Sequence, residues 1–349
     1  MDILPFVAIE MNSMTTNLCL SLMYAMNEIR EHTVEQMNQM GAEGKPFAFI
    51  IDFDFEKPLI FDSNDASELL WKTSEFSNCN SLKIDLPSEI HWTIYPVDFR
   101  EYERAFSVVQ DHIQNGDTYL LNLTMPTRVE TNLSLGEMFL LSDAPYKIWL
   151  KDQFVCFSPE IFVRIKNGII SSFPMKGTID ATIRNAEQQL LNDKKEVAEH
   201  HTIVDLIRND LSKIATDVKV KQLMYIDRIH TNKGDLLQMS SQISGRLPDN
   251  YQQSIGSILS ELLPAGSICG APKTKTVEII KNIEAYNRGY YTGIFGLFDG
   301  INLDSCVMIR YVEQDSKQLI FKSGSGITFQ SNCLSEYNEL IQKVYVPIG

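Results

Sequence analysis

The sequence predicts an α+β fold in one large domain. Three observations lead there. Strand-like runs crowd the middle of the chain, with helices spaced among them rather than alternating one for one, which argues against a parallel βαβ array. No Pro/Ser-rich linker, internal repeat or low-complexity tract divides the 349 residues, although length alone allows about two domains. Apolar residues make up 44% and charged residues 22%, the ordinary balance of a chain that buries a core.

Residues 17–40 read as a helix of recurring Leu and Met that closes near Gly41. Phe47 to Phe53 is an apolar, aromatic run, the pattern of a buried strand. Residues 54–90 are mixed, with turn residues at Ser63-Asn64-Asp65 and Asn78-Cys79-Asn80, and read as scaffold. Asp98 then caps a helix, with Glu101 at the capping-box spacing. Tyr102, Phe106, Val109 and Ile113 share one face of it, and Gly116 ends it. A strand follows over Asp117 to Thr124. Further strands fall at Tyr146 to Leu150, Phe154 to Phe157, Ile161 to Ile165 and Ile169 to Phe173. Asn167-Gly168 joins the last two as a hairpin. Glu160 therefore enters that hairpin and Lys176 lies just past its exit, so the two can come close in space.

A long helix is expected from about Glu187 to Leu211, with strands and a loop over 218–247 and a short helix over about 251–263. Pro264 to Lys273 is a small-residue loop leading into Pro272 at a helix start. That helix runs to about Glu284, and its N-terminus is a candidate anion site. Strands begin at Tyr290 and span Cys306 to Tyr311, with Arg310 amid apolar residues. Lys322 to Ile327 reads as a glycine-rich turn whose amides could cradle an oxyanion. A final helix starts near Leu334.

Composition narrows the function. Lys and Arg number 31 against 45 Asp and Glu, a net charge of −14. No basic run relieves it, so nucleic acid is not an expected partner. The six cysteines form no C-x-x-C pair and read as buried thiols of a reducing compartment. The N-terminus has no basic leader, and the apolar runs fall short of a membrane span. A soluble cytoplasmic protein is expected.

Chemistry gathers at a few positions. Lys176 sits between Pro174 and Gly177, beside Thr178. Read alone, this fits a solvated surface turn as well as an amine whose pKa is lowered until it attacks carbon. Glu196 and Glu199 lie three apart on one helix face; read alone they fit a solvated face as well as a divalent-cation site. Glu336, Glu339 and Lys343 share a face of the final helix. An arginine such as Arg310 in a strand is usually paired, and a ligand carboxylate is one partner that suits it.

Taken together, these pieces resemble the chorismate-utilising enzymes, a family that includes anthranilate, isochorismate, salicylate and aminodeoxychorismate synthases. The resemblance covers roughly residues 95–346, with residues 1–94 matching only as a scaffold. It rests on Gly116-Asp117-Thr118-Tyr119, Asn122-Leu123-Thr124, Ser158-Pro159-Glu160, Pro174-Met175-Lys176-Gly177-Thr178 and Ile203 to Asp210. It continues through Gly270-Ala271-Pro272-Lys273, the Gly293 strand, Ile309-Arg310, Gly324 to Ile327 and the Glu336/Glu339/Lys343 helix. It implies one α+β domain, residues 1–349, of two stacked, mainly antiparallel sheets flanked by helices.

Within the family, Lys176 and Asn122-Leu123-Thr124 resemble the branch that makes 4-amino-4-deoxychorismate, where the other synthases usually have Ala at the lysine position. The resemblance implies that Glu160 is the general acid/base and Lys176 the nucleophile. Glu196, Glu199, Glu336 and Glu339 are implied to surround Mg²⁺. Arg310, Tyr291, Lys343 and the Gly324 and Gly326 backbone are implied to hold substrate carboxylates, with Ser267 and Thr178 near the ring. The family's usual histidine, in a His-Leu-x-Ser context, is replaced by Gln238 in Gln238-Met239-Ser240-Ser241. Glutamine orients but does not titrate near neutrality. His200, His201 and His230 receive no catalytic role. The chain has no G-x-C-x-G glutaminase nucleophile, since Cys269 lies in Ile268-Cys269-Gly270. Ammonia is therefore expected from a glutamine amidotransferase subunit, and the later lyase step from another protein. The alternatives are an anthranilate- or isochorismate-forming enzyme and an inactive chorismate-binding subunit.

Overall fold

The computed structural model describes residues 13–63, 65, 67–79, 87–229 and 235–347, with backbone only for 13–25. Asn64, Asn80 and His230 lie outside the described residues. In chain order the elements are α1 (Ser13–Ala42), β1 (Phe47–Ile51), β2 (Leu59–Asp62), β3 (Leu69–Lys72), β4 (Trp92–Tyr95), α2 (Phe99–Gln114), β5 (Leu120–Thr131) and α3 (Leu135–Leu141). Then come β6 (Tyr146–Leu150), β7 (Phe154–Ser158), β8 (Ile161–Lys166), β9 (Ile169–Ser172), β10 (Met175–Asp180), α4 (Ala186–Asn192), α5 (Lys194–Ser212), β11 (Thr216–Ile229) and β12 (Leu236–Arg246). The chain closes with α6 (Ile255–Leu262), β13 (Gly270–Ala271), α7 (Lys273–Ile283), β14 (Ile294–Phe298), β15 (Leu303–Val307), β16 (Tyr311–Asp315), β17 (Gln318–Thr328) and α8 (Cys333–Gln342).

Two sheets result, and every strand pairing described is antiparallel. The first runs β10-β12-β9-β8-β15-β14-β1-β2, with β11 beside β12. The second runs β13-β5-β17-β16-β7-β6-β3, with β4 beside β5. β1 is buried at every position because both of its faces are covered. Side chains alternate across a strand, so Phe47, Phe49 and Ile51 enter a core shared with the helices, while Ala48 and Ile50 meet Leu69, Trp71 and Ile148 of the second sheet. Met138 and Phe139 of α3 cover the other face of the second sheet, over Val155, Phe157 and Phe321.

Helix α2 buries Tyr102, Phe106, Val109 and Ile113, the face its spacing predicts, and Asp98 caps it by accepting from the Arg100 N–H. The β8–β9 hairpin turns through Asn167 and Gly168 at φ 49° and 77°, both in the left-handed region a two-residue turn demands. Other expectations are corrected. The long helix over 187–211 is two helices, because Asp193 is extended and its carboxylate restarts the chain by capping the Lys195 and Glu196 N–H groups. The 322–327 turn is instead part of β17, paired along its length with β5. Arg310 lies outside any strand, at φ 55°, between β15 and β16. The scaffold stretch over 54–90 supplies β2 and β3. Helix α3 was legible in its Ser134/Glu137 capping box but was not anticipated.

Candidate active site

A cavity of about 590 Å³ opens where α5 and α8 approach the ends of β10, β12 and β17, and every site residue singled out from the sequence lines it. Glu160 enters just before β8. Its Oε1 accepts a short hydrogen bond from the Ser267 hydroxyl. Burial pushes the Glu160 carboxyl up, against the lowering pull of Ser267, Lys176 and Lys343. A carboxyl raised in this way keeps its proton to higher pH than an exposed one, which suits a general acid.

Lys176 arrives from β10. Gly177, at φ 76°, makes a bulge against β12, and a bulge re-aims the side chains beside it. Lys176 Nζ donates to Glu199 Oε2 at 2.8 Å and is about a quarter exposed. Burial lowers this amine, but Glu199, Glu196 and Glu339 together outweigh burial and raise it. As it stands the amine is charged, the opposite of what a nucleophile needs. A Cβ placed on Gly326 would lie 3.0 Å from Lys176 Nζ, so the absence of a side chain at 326 gives the amine its position.

The four glutamates come from two helices, Glu196 and Glu199 from α5 and Glu336 and Glu339 from α8. Glu199 and Glu336 are buried. An all-carboxylate set suits a hard divalent cation. Among the described residues, however, no three His, Cys, Asp or Glu side chains converge closely enough to hold a metal. Two lysines occupy the buried carboxylates instead: Lys176 on Glu199, and Lys195, which the sequence reading missed, 3.2 Å from Glu336 Oε1. The signal for Lys195 was its place one residue before Glu196 on a helix whose acidic face was already suspect.

Cations line the cavity as well. Arg310 donates to the Lys343 carbonyl at 2.8 Å and stacks over Tyr345; no carboxylate of the protein pairs with it among the salt bridges described. Lys343 Nζ donates to the Gly324 carbonyl at 2.8 Å and meets Glu339. Past Lys322, no strand among the described residues pairs with β17 on the edge away from β5, and Gly324 and Gly326 line the cavity there. Tyr291 is buried against Tyr311. Gln238 pairs in register with Thr178, and its buried Oε1 has no hydrogen-bond partner among the described residues. His200 is fully buried, with Nε2 on the Ser241 hydroxyl at 2.6 Å. Burial holds its imidazole down to about 4, and it lies outside the cavity lining.

The anion site expected at the start of α7 does not join the cavity. Lys273 turns away to Asp210 and donates to the Leu262 carbonyl at 2.9 Å. The loop before it does contribute, through Ser267, Ile268 and Cys269. A buried Arg288–Glu284 pair holds that loop, with Arg288 donating to the Ile268 carbonyl at 3.0 Å and the Asn122 carbonyl at 2.7 Å. Cys156, Cys269 and Cys306 are buried free thiols. No helix among the described residues is long and apolar enough to cross a membrane.

The cavity lining combines carboxylates with lysine and arginine side chains, and comparison with known proteins adds the family. The "uncharacterized PabA-like protein" of Haemophilus influenzae is 51% identical over 91% of this chain and 97% of its own length. Aminodeoxychorismate synthase component 1 of Bacillus subtilis is 30% identical over 70% of this chain, which spans 54% of that protein. Anthranilate synthase component 1 of Acetivibrio thermocellus is 31% identical over 78% of this chain and 56% of its own length. Among solved structures, a putative 2,3-dihydroxybenzoate-specific isochorismate synthase from Bacillus anthracis shares the fold at TM-score 0.67 and 19% identity, over 91% of this chain and 87% of that one. The sequence profile of the chorismate binding enzymes matches residues 61–349, and with that match the chain belongs to the chorismate binding enzyme family.

Proposed function

We propose that this protein is the aminating component of an aminodeoxychorismate synthase, converting chorismate and ammonia to 4-amino-4-deoxychorismate. Overall similarity does not choose among the family's reactions, since anthranilate and aminodeoxychorismate synthases match at about equal identity. The observation that carries the reading is a primary amine, Lys176 Nζ, inside the cavity that also holds the Glu160–Ser267 pair.

Chorismate is a cyclic dicarboxylate whose C4 hydroxyl is a poor leaving group. Protonated Glu160 donates to that hydroxyl as it departs as water. Neutral Lys176 adds at C2, both double bonds of the ring diene shift one place toward C4 as the C4–O bond breaks, and the new C2–N group loses a proton. Ammonia then adds at C4, both double bonds shift back, and the C2–N bond breaks, the departing Lys176 nitrogen taking up the proton that the added ammonia sheds. Two modest displacements replace one hard one. Arg310, Lys343 and the amides beside Gly324 and Gly326 anchor carboxylates, and Gln238 orients the ring.

The resemblance implies Mg²⁺ on Glu196, Glu199, Glu336 and Glu339 as an anchor for a substrate carboxylate. Among the described residues these carboxylates do not converge on a metal position and two of them are paired with Lys176 and Lys195, and the steps above do not depend on that ion. Lys176 must shed its proton before it adds; burial favours the neutral amine, and Glu199, Glu196 and Glu339 oppose it. Ammonia comes from a separate glutamine amidotransferase. The test is incubation with chorismate, Mg²⁺ and an ammonium salt, with products separated by mass. Aminodeoxychorismate as the product, lost in Lys176→Ala, is expected; anthranilate or isochorismate from the wild type would overturn the assignment.

A further inference from the structure

The Asn122-Leu123-Thr124 motif carries no step of the reaction just described, yet it is tied into a buried polar bracket. Arg288 and Glu284 form its centre, each 2% exposed at the side chain. The Arg288 fork donates to both carboxylate oxygens of Glu284, at 2.7 and 2.6 Å. Its remaining N–H groups reach the Asn122 carbonyl at 2.7 Å, the Ile268 carbonyl at 3.0 Å and the Thr292 hydroxyl at 3.4 Å. All five donors of the guanidinium are thereby engaged. Glu284 Oε1 also accepts from the Thr124 N–H at 2.9 Å and the Thr124 hydroxyl at 2.8 Å. The Tyr286 hydroxyl meets Thr124 Oγ1 at 2.5 Å. Arg288 itself is not part of the cavity lining.

What the bracket holds is the catalytic pair. Ile268 follows Ser267, whose hydroxyl donates to Glu160. Asn122 faces Gly326 across the β5–β17 ladder, and Gly326 is the position whose missing side chain leaves room for Lys176 Nζ. The Asn122 N–H also donates to the Cys269 carbonyl at 2.8 Å. We propose that Arg288 is a positioning residue, which clamps the loop carrying Ser267 against the strand beside Lys176 and so sets where Ser267 meets Glu160. The inference rests on Glu160 as the proton donor of the proposed reaction and deepens that reading. The clamp needs an arginine. A lysine ammonium has three donors on one atom and cannot span acceptors on Glu284, Asn122, Ile268 and Thr292 together. Without the fork the loop is free to shift, and a misplacement of about 1 Å at the reacting groups costs on the order of 10²-fold.

The test is a double-mutant cycle on the full chain between Arg288→Lys and Ser267→Ala, read as kcat and KM for chorismate consumption. Arg288→Lys keeps a positive charge beside Glu284, and with it the fold. Its kcat should fall about ten- to a hundredfold. KM for chorismate should stay near the wild type, because Arg310 and Lys343 are left in place. Ser267→Ala should lower kcat as well. The double variant should lose little more than the worse of the two single variants, since residues acting through one contact are not additive. Losses that multiply would overturn the route through Ser267. An unchanged kcat in Arg288→Lys, or a raised KM at constant kcat, would overturn the positioning role. If Arg288→Lys fails to fold, Thr124→Val takes its place in the cycle with the same expected outcome, since it removes the hydroxyl on Glu284 and keeps the side chain's shape. The cycle follows chorismate and not the product, so a product other than aminodeoxychorismate would refute the assigned reaction and leave Arg288 its role. A wild type that consumes no chorismate would remove both.

Discussion

Gly326→Ala separates the position of the Lys176 amine from the stability of the fold. The added Cβ would fall 3.0 Å from Lys176 Nζ and 3.2 Å from Leu120 Cδ1. Relieving the first contact requires the amine to retreat by about half an ångström. The yielding atom is the far end of a flexible side chain, and residue 326 sits in an extended strand at ordinary φ. The fold should therefore lose little; alanine in a strand is favoured over glycine by roughly 0.5–1 kcal/mol, which offsets the crowding. Catalysis has no such latitude, because a misplacement of about 1 Å costs on the order of 10²-fold. The expected result is a kcat for aminodeoxychorismate formation about ten- to a hundredfold lower, with Tm within a few degrees of the wild type. Assays use saturating chorismate and ammonium salt, with Tm read by differential scanning fluorimetry. An unchanged kcat would refute the claim that this amine must occupy this point. A large drop in Tm would show that the backbone, not the amine, gives way.

Three further outcomes follow from other parts of the site. Arg288→Met leaves Glu284 buried without its partner and frees the Ile268 carbonyl; urea unfolding should show a loss of about 3–5 kcal/mol. Glu160→Gln should abolish turnover and yet stabilise the fold near neutral pH. The folded Glu160 carboxyl titrates above its ordinary value of 4.5, so from about that pH upward the native state binds more protons than the unfolded one and loses stability as pH rises. The Tm advantage of Glu160→Gln should therefore widen from pH 4.5 to the neutral range, and a pH-independent difference would argue against a raised carboxyl. Gly177→Ala places a Cβ at 2.9 Å from Leu190 and 3.1 Å from Glu196 Oε2 at φ 76°. It should cost about 1–2 kcal/mol in thermal or urea unfolding.

Local pattern carried the sequence reading where the signal was periodic. Helix α2 declares itself by its apolar face, and the β8–β9 hairpin by Asn167-Gly168, because each depends on neighbours within a few residues. Site residues on short motifs were nameable in the same way, and the structure brings them to one cavity. Where the reading failed, the deciding contact was distant. Gly324 and Gly326 look like a turn until β5 pairs with them along a full strand. Arg310 looks like strand until its guanidinium reaches the Lys343 carbonyl at the end of α8. One aspartate, Asp193, divides a periodic stretch by capping its second half. Lys195 went unnoticed because its ion pair is with Glu336, far along the chain on another helix. The charge on Lys176 was left open for the same reason: burial alone would lower its pKa, and the carboxylates that raise it are gathered only by folding.

The most direct measurement is intact-protein and peptide mass spectrometry after the enzyme is mixed with chorismate and Mg²⁺, ammonia withheld, and rapidly quenched. A covalent route predicts a peptide containing Lys176 that carries chorismate less one water, absent from Lys176→Ala and discharged when ammonium is added. Turnover of the wild type with Lys176 never modified, matched by an equally active Lys176→Ala, would contradict it.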